Sequence, residues 1–242
     1  MTTSLLLLVG GLAEPVLADA RFAQAAQLAS TIDTALGKHW ADEGIAPGAV
    51  CDDATFLRRS TLDLAGRIPT VAEARAFASD PSPTKRSTLI RSLMAGPEYA
   101  AQLGRTLDRI IQDSFAGDGD FNEYLRTAVA ERRSWDLIFR DIVIGPWDTK
   151  EAKRSMAFLN KRLASVDDLT TDTSRVFFGV NVSCAKCHDH PLVEDWKQDH
   201  YFGLATFFQR TVEGSKKRKD KNQIVEADVG EVKYTTTKGE SK

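Results

Sequence analysis

What most constrains this chain is its punctuation: apolar residues recur at helical spacing in short runs, and glycine or proline closes run after run. Ile32, Leu36 and Trp40 fall at i, i+4 and i+8, which predicts one buried stripe on a first helix over about 28–40. A second helix is expected after a cap at Asp53, carrying Leu57, Thr61 and Leu64 and stopped by Gly66 and Pro69. Thr70-Val71-Ala72-Glu73 has the form of a capping box, in which hydroxyl and carboxylate satisfy each other's end-of-helix amides, and it opens a short helix to Ala78. Ser82-Pro83 starts the next, with Leu89, Ile90, Leu93 and Met94 as its apolar face and Gly96-Pro97 as its end. A longer run carries Tyr99, Leu103, Leu107, Ile110 and Ile111.

After a loop over 114–120, helices are expected around 124–129 and around 137–143, the second capped by Ser134, with a turn at Gly145-Pro146. Helices over 150–163 and 168–178 follow, the latter ended by Gly179. The segment 198–209 puts Tyr201, Phe202, Leu204, Ala205 and Phe208 on one broad apolar face. Helices this short are marginal alone and must bury their stripes against one another. The expected fold is therefore all-α, an irregular bundle of about nine to ten short helices.

The ends differ from this middle. Leu5 to Leu8 open an apolar run that reaches Leu12, and the small residues Ala18 and Ala20 suit a signal-peptidase site, although Met1 to Ser4 carry no basic residue. Residues 1–20 are expected to be a signal peptide, which makes the protein exported, to the periplasm or beyond. The run is too short to span a bilayer, and Glu14-Pro15 ends it, so no membrane span is expected. The helical domain is expected over 21–213. Residues 214–242 form a charged tail, or the start of a truncated further region, with the basic cluster Lys216 to Lys221 and a β-like stretch Val229 to Tyr234. With 32 basic and 34 acidic side chains intermixed, the chain offers no basic field of the kind nucleic acid requires.

Three cysteines are too few for a disulfide framework, and Cys51, away from the other two, has the character of a small buried hydrophobe. Cys184-Ala185-Lys186-Cys187-His188 is the attachment signature of c-type haem. Two thiols three residues apart reach the two vinyl groups of one porphyrin, and the imidazole that follows, His188, lies under the iron as a nitrogen ligand. The chemistry expected is electron transfer. Candidates on the opposite face are Met94, Met156, His39 and His200, or an open position. A structural zinc site is the alternative, built from Cys184, Cys187 and His190 with His200 or His188 as the fourth ligand, in a non-haem interaction domain. A thioredoxin-like pair lacks its preceding strand, and a plain disulfide or free thiols remain open. His190 either meets a haem propionate or is a structural histidine held by Asp189 or Asp195. Trp196, Phe202, Phe207 and Phe208 would supply apolar cover. No phosphate loop, G-x-S-x-G elbow or H-E-x-x-H appears, so nothing marks the chain as an enzyme.

Several separate stretches, in order, carry a resemblance. Asp52 to Arg59, Leu62 to Thr70, Ser174 to Gly179 leading into Cys184 to Pro191, and Trp196-Lys197-Gln198 with Tyr201 to Phe208 are similar to the planctomycete cytochrome-type domain catalogued as domain of unknown function 1549. The resemblance spans about 32–209. It implies an exported protein whose Cys184, Cys187 and His188 form a haem site, with a redox protein or the further domains of a larger chain as partners.

Overall fold

A computed structural model describes residues 13–114, 117–145, 147–190, 193, 196–214, 224–228, 230–235 and 239. The chain divides into two units, one ending at Asp52 and one beginning at Asp53. The first contains α1 (Ala13–Asp42). Of the expected export segment, residues 1–12 lie outside the described residues, and 13–20 form the opening turns of α1. The helix starts well before the expected residue 28 because Pro15 sits in its first turn, where no amide partner is lost. The expected buried stripe is largely exposed: Ile32 and Leu36 are 48% and 40% exposed and only Trp40 is half-buried. Periodicity states which residues share a face, whereas burial needs a second surface, and α1 by itself has none.

The second unit holds α2 (Asp53–Ala65), α3 (Val71–Ser79), α4 (Lys85–Ala95), α5 (Pro97–Gln112), α6 (Gly119–Ala130), α7 (Trp135–Val143), α8 (Lys150–Arg154), α9 (Ala157–Asn160), α10 (Val166–Phe178) and α11 (Gln198–Thr206). Eleven α-helices among the described residues make this the expected all-α, irregular bundle. None of the described helices is long and apolar enough to cross a membrane. The capping box forms as read: Thr70 N donates to Glu73 Oε2 at 2.7 Å and Glu73 N donates to Thr70 Oγ1 at 3.2 Å. Asp53 does something other than cap. It is the first residue of α2, and its carboxylate meets Lys85 at 2.6 Å and Arg86 at 2.7 Å, tying α2 to α4. Ser82-Pro83 forms a turn before α4, with the Lys85 amide donating to Ser82 O, and Met94 is left 37% exposed. The candidate helix over 150–163 breaks into α8 and α9 at the Ser155-Met156 turn.

The core lies among α5, α6, α7, α9 and α10, where Ile111, Phe121, Leu125, Ile142, Phe158 and Leu169 are wholly buried. Each such side chain contributes roughly 1.5–3 kcal/mol on burial. α5 and α6 approach closely because Gly104 has no side chain: a Cβ there would stand 3.0 Å from the Arg126 backbone nitrogen. That contact rotates the buried line of α5 to Ala100, Gly104, Asp108 and Ile111, and it leaves Ile110, expected inside, 59% exposed. Arg162, 4% exposed, closes the core from one end. Its Nε meets Asp172 at 2.6 Å, its Nη atoms donate to Phe158 O and Ile111 O, and its guanidinium lies 4.1 Å over the Phe158 ring.

Past α11 the expected strand at 229–234 is displaced. Val229 lies outside the described residues and 230–234 form no strand. The pair observed is β1 (Thr211–Glu213) against β2 (Ile224–Glu226), antiparallel, with Val212 opposite Val225. Residues 224–226, an apolar-apolar-acidic triplet, gave no alternation to read. The basic cluster 216–221 lies outside the described residues.

Candidate functional site

Gly179 sets the direction in which the chain enters the motif. It ends α10 in the left-handed conformation, φ +68°, which glycine tolerates without strain. The amide of Val180 then donates to Ser174 O at 3.1 Å, turning the chain off the helix end. Asn181 Oδ1 accepts from Ser183 N at 3.1 Å and starts a single 3₁₀ turn over Ser183–Lys186.

A 3₁₀ turn has three residues per turn, so side chains at i and i+3 eclipse. Cys184 lies within the turn and Cys187 caps its end, and both are exposed and free of disulfide bonding. Ala185 faces the other way and is wholly buried, with Val182, Tyr201 and Ala205, in a small cluster of its own. One buried alanine thus anchors a turn whose thiols both face outward.

Two neighbouring helices hold the turn. The Asp167 carboxylate of α10 accepts from the Lys186 ammonium and the Tyr201 hydroxyl. At the start of α11, Gln198 N donates to Asp189 Oδ1 at 3.1 Å and Gln198 Nε2 donates to Lys186 O at 3.2 Å. Of these clamping residues, Tyr201 is expected on the apolar face of 198–209 and Gln198 within the family resemblance, and Asp167 is not singled out; the clamp itself carries no spacing signal, because it arises only when α10 and α11 pack together.

The histidines differ in what they are free to do. His188 is exposed, and its Nδ1 donates to Asp189 O at 2.7 Å, which puts the ring lone pair on Nε2. His190 is half-buried. Its Nδ1 accepts from Val193 N at 3.1 Å and its ring stands edge-on to Trp196 at 5.1 Å. Asp195, one expected partner of His190, lies outside the described residues. His200, exposed, accepts from Lys197 N through Nδ1 at 3.2 Å, fastening the first turn of α11. Cys51 is half-buried.

Of the aromatics expected to cover the motif, Phe208 belongs to the main core, Phe202 stacks on Tyr234 at 3.8 Å and Phe207 is 79% exposed. The broad apolar face expected over 198–209 is divided because the helix stops at Thr206. Neither Met94, on α4, nor Met156, buried before α9, belongs to an element that surrounds the motif.

The sequence matches the family PSCyt2, described as a protein of unknown function (DUF1549), over residues 31–213, more than half of the chain. The chain belongs to this family. No curated protein and no solved structure matches it. The PSCyt2 segment takes in the 3₁₀ turn and its clamp, and it ends with β1 at Glu213. Within it, among the described residues, no three His, Cys, Asp or Glu side chains are gathered to hold a metal ion. Cys184, Cys187 and His190 are therefore not assembled as a ready-made zinc site.

Proposed function

We propose that this PSCyt2 chain is an exported electron-transfer module that attaches a c-type haem through Cys184 and Cys187, with His188 as an axial ligand. The observation that carries the reading is the 3₁₀ turn, which leaves two free thiols three residues apart exposed and is followed directly by an exposed imidazole. The donor set suits such a group. Thioether formation needs two reachable thiols on one side, and iron ligation needs a neutral imidazole with an available Nε2, which the Nδ1 hydrogen bond of His188 favours. When bound, the haem supplies a one-electron redox centre whose potential follows its ligands and its burial.

The chain's own residues hold the attachment point still. Asp167 fixes the Lys186 side chain, Gln198 fixes the Lys186 carbonyl and the Asp189 carboxylate, and Ala185 keeps the turn seated. The export segment at the N-terminus would carry the chain to the compartment where such attachment takes place.

The test is expression of the full chain in a host with haem-attachment machinery, read by intact mass and by the visible spectrum. The expected result is a mass increased by one covalently held haem and a reducible absorption band, both lost in the Cys184→Ser/Cys187→Ser variant. A mass equal to that of the bare polypeptide in the wild type would overturn the reading. The same mass would report whether residues 1–20 are removed.

A further inference from the structure

We infer that the cavity where the α5–α6 loop faces α8 and α9 binds a small polar molecule carrying a phosphate-type dianion, at a site made of residues outside the cysteine motif. The cavity holds about 640 Å³, inside the ~300–1,000 Å³ range of small-molecule sites and far larger than one inorganic ion fills. Among the lining side chains of the described residues only Ala157 is apolar, which favours a polar occupant.

Charge decides the sign of the ligand. Lys150, Lys153, Arg154 and Lys161 line the space, against the carboxylates of Asp118 and Asp120. Asp118 is committed, since its Oδ1 accepts from Phe121 N at 3.0 Å as the cap of α6. Asp120, 80% exposed, reaches only Arg154, at 3.5 Å. Lys161 donates to Gln112 O at 2.6 Å. The ammonium groups of Lys150 and Lys153 meet no acceptor among the described residues, so two positive charges face the cavity uncompensated.

Two further donors point to an oxyanion. Gln112 is 4% exposed and lines the cavity; its Oε1 accepts from Arg162 at 3.3 Å, while its Nε2 donates to none of the described residues. Arg154 Nε is buried and makes no hydrogen bond among the described residues, standing 3.5 Å from Asp120 Oδ1 in an ion pair. A buried N–H without a hydrogen bond costs free energy, and a bound oxyanion would supply one to Arg154 Nε. The one buried carboxylate nearby does not oppose this strongly. Asp108 lies behind the Gly117–Asp118 backbone, its Oδ2 accepts from Asp118 N at 3.1 Å, and desolvation raises its pKa above the usual carboxylate range.

The experiment is calorimetric titration of the full chain at low salt with glucose 6-phosphate, gluconate and glucose. The expected result is saturable binding of glucose 6-phosphate, at least tenfold weaker binding of the monoanionic carboxylate gluconate, and none of glucose. Lys150→Glu with Lys153→Glu, both exposed and so compatible with the fold, should weaken glucose 6-phosphate binding at least tenfold. Lys38→Glu, a control in the other unit, should leave it unchanged. Absence of binding to the wild type, equal affinity for gluconate, or an equal loss in the Lys38→Glu control would each overturn the assignment.

Discussion

The main core and the cysteine turn are built on opposite plans. Phe121, Leu125 and Phe158 are wholly buried at the centre of the main core, and Arg162 closes one end of it. At the cysteine turn one alanine is buried and the chemically reactive side chains all face solvent. The core is complete from the chain's own side chains, and the turn is attached to it through α10 and α11. Stability and chemistry therefore reside in different residues, and substitutions should separate them.

The largest separation should come from Phe158. It is wholly buried, edge-on to Phe177 at 5.3 Å and under the Arg162 guanidinium. Phe158→Ala is expected to cost about 3–5 kcal/mol in urea unfolding. Cys184→Ser with Cys187→Ser should cost less than about 0.5 kcal/mol, because neither thiol packs against the core. Comparable losses for the two variants would break the contrast.

Arg162→Met tests the polar end of the same core. The side chain is buried, and its removal takes the donor from Asp172 Oδ2 and from the carbonyls of Ile111 and Phe158, while Asp172 Oδ1 keeps Arg175 at 3.1 Å. The expected cost is about 3 kcal/mol, the scale for breaking a buried ion pair on one side. It should be measured by thermal and urea unfolding, and Asp172→Asn in the same background should add less than about 1 kcal/mol, since the Arg162 pair is already gone and only the more exposed Arg175 pair remains.

At the turn the expected effect is local. Asp167→Asn weakens the hold on Tyr201 and on Lys186, whose ion pair with Asp167 is nearly half exposed, so global stability should fall by about 1 kcal/mol. The Ala185 amide, which donates to Val182 O at 3.0 Å, should exchange with solvent several-fold faster while the amides of α5 and α6 keep their protection. Uniform acceleration would show that turn and core open as one unit.

How much of this was legible beforehand follows the same division. Local chemistry is written in neighbouring residues, so the Thr70–Glu73 capping box, the Gly96-Pro97 junction and the Gly179 stop stand where spacing and turn chemistry put them. What depends on a second surface was misread. The α1 stripe is largely exposed, and α5 is rotated because Gly104 brings the α6 backbone against it, a contact no single-helix pattern contains. Asp53 looked like a cap and is a cross-helix ion pair, since Lys85 and Arg86 lie far along the chain. For the site, the cysteine and histidine positions were legible from their spacing, but their shared exposed face was not, because 3₁₀ geometry is set by the Gly179 exit and the buried Ala185.

The smallest expected effect is electrostatic and lies far from both regions. Glu73 accepts from the Thr70 amide and pairs with Arg67 at 2.8 Å, and these partners hold its carboxyl down to about 2, the Arg67 hydrogen bonds contributing most. A carboxyl whose folded pKa lies below its unfolded value, about 4.3, stabilises the native state above that value, and the contribution is lost as pH falls toward 2. Both side chains are more than a third exposed, so solvent screening limits the gain to less than about 1 kcal/mol. Glu73→Gln should therefore lower the melting temperature slightly at pH 7 and not at pH 2, with the two curves converging between pH 4.5 and 2. Neither the Ala185 amide exchange nor haem attachment should respond, because the capping box touches neither the core nor the turn. A difference that persisted unchanged at pH 2 would mean that the packing of the Glu73 side chain, rather than its charge, holds the start of α3.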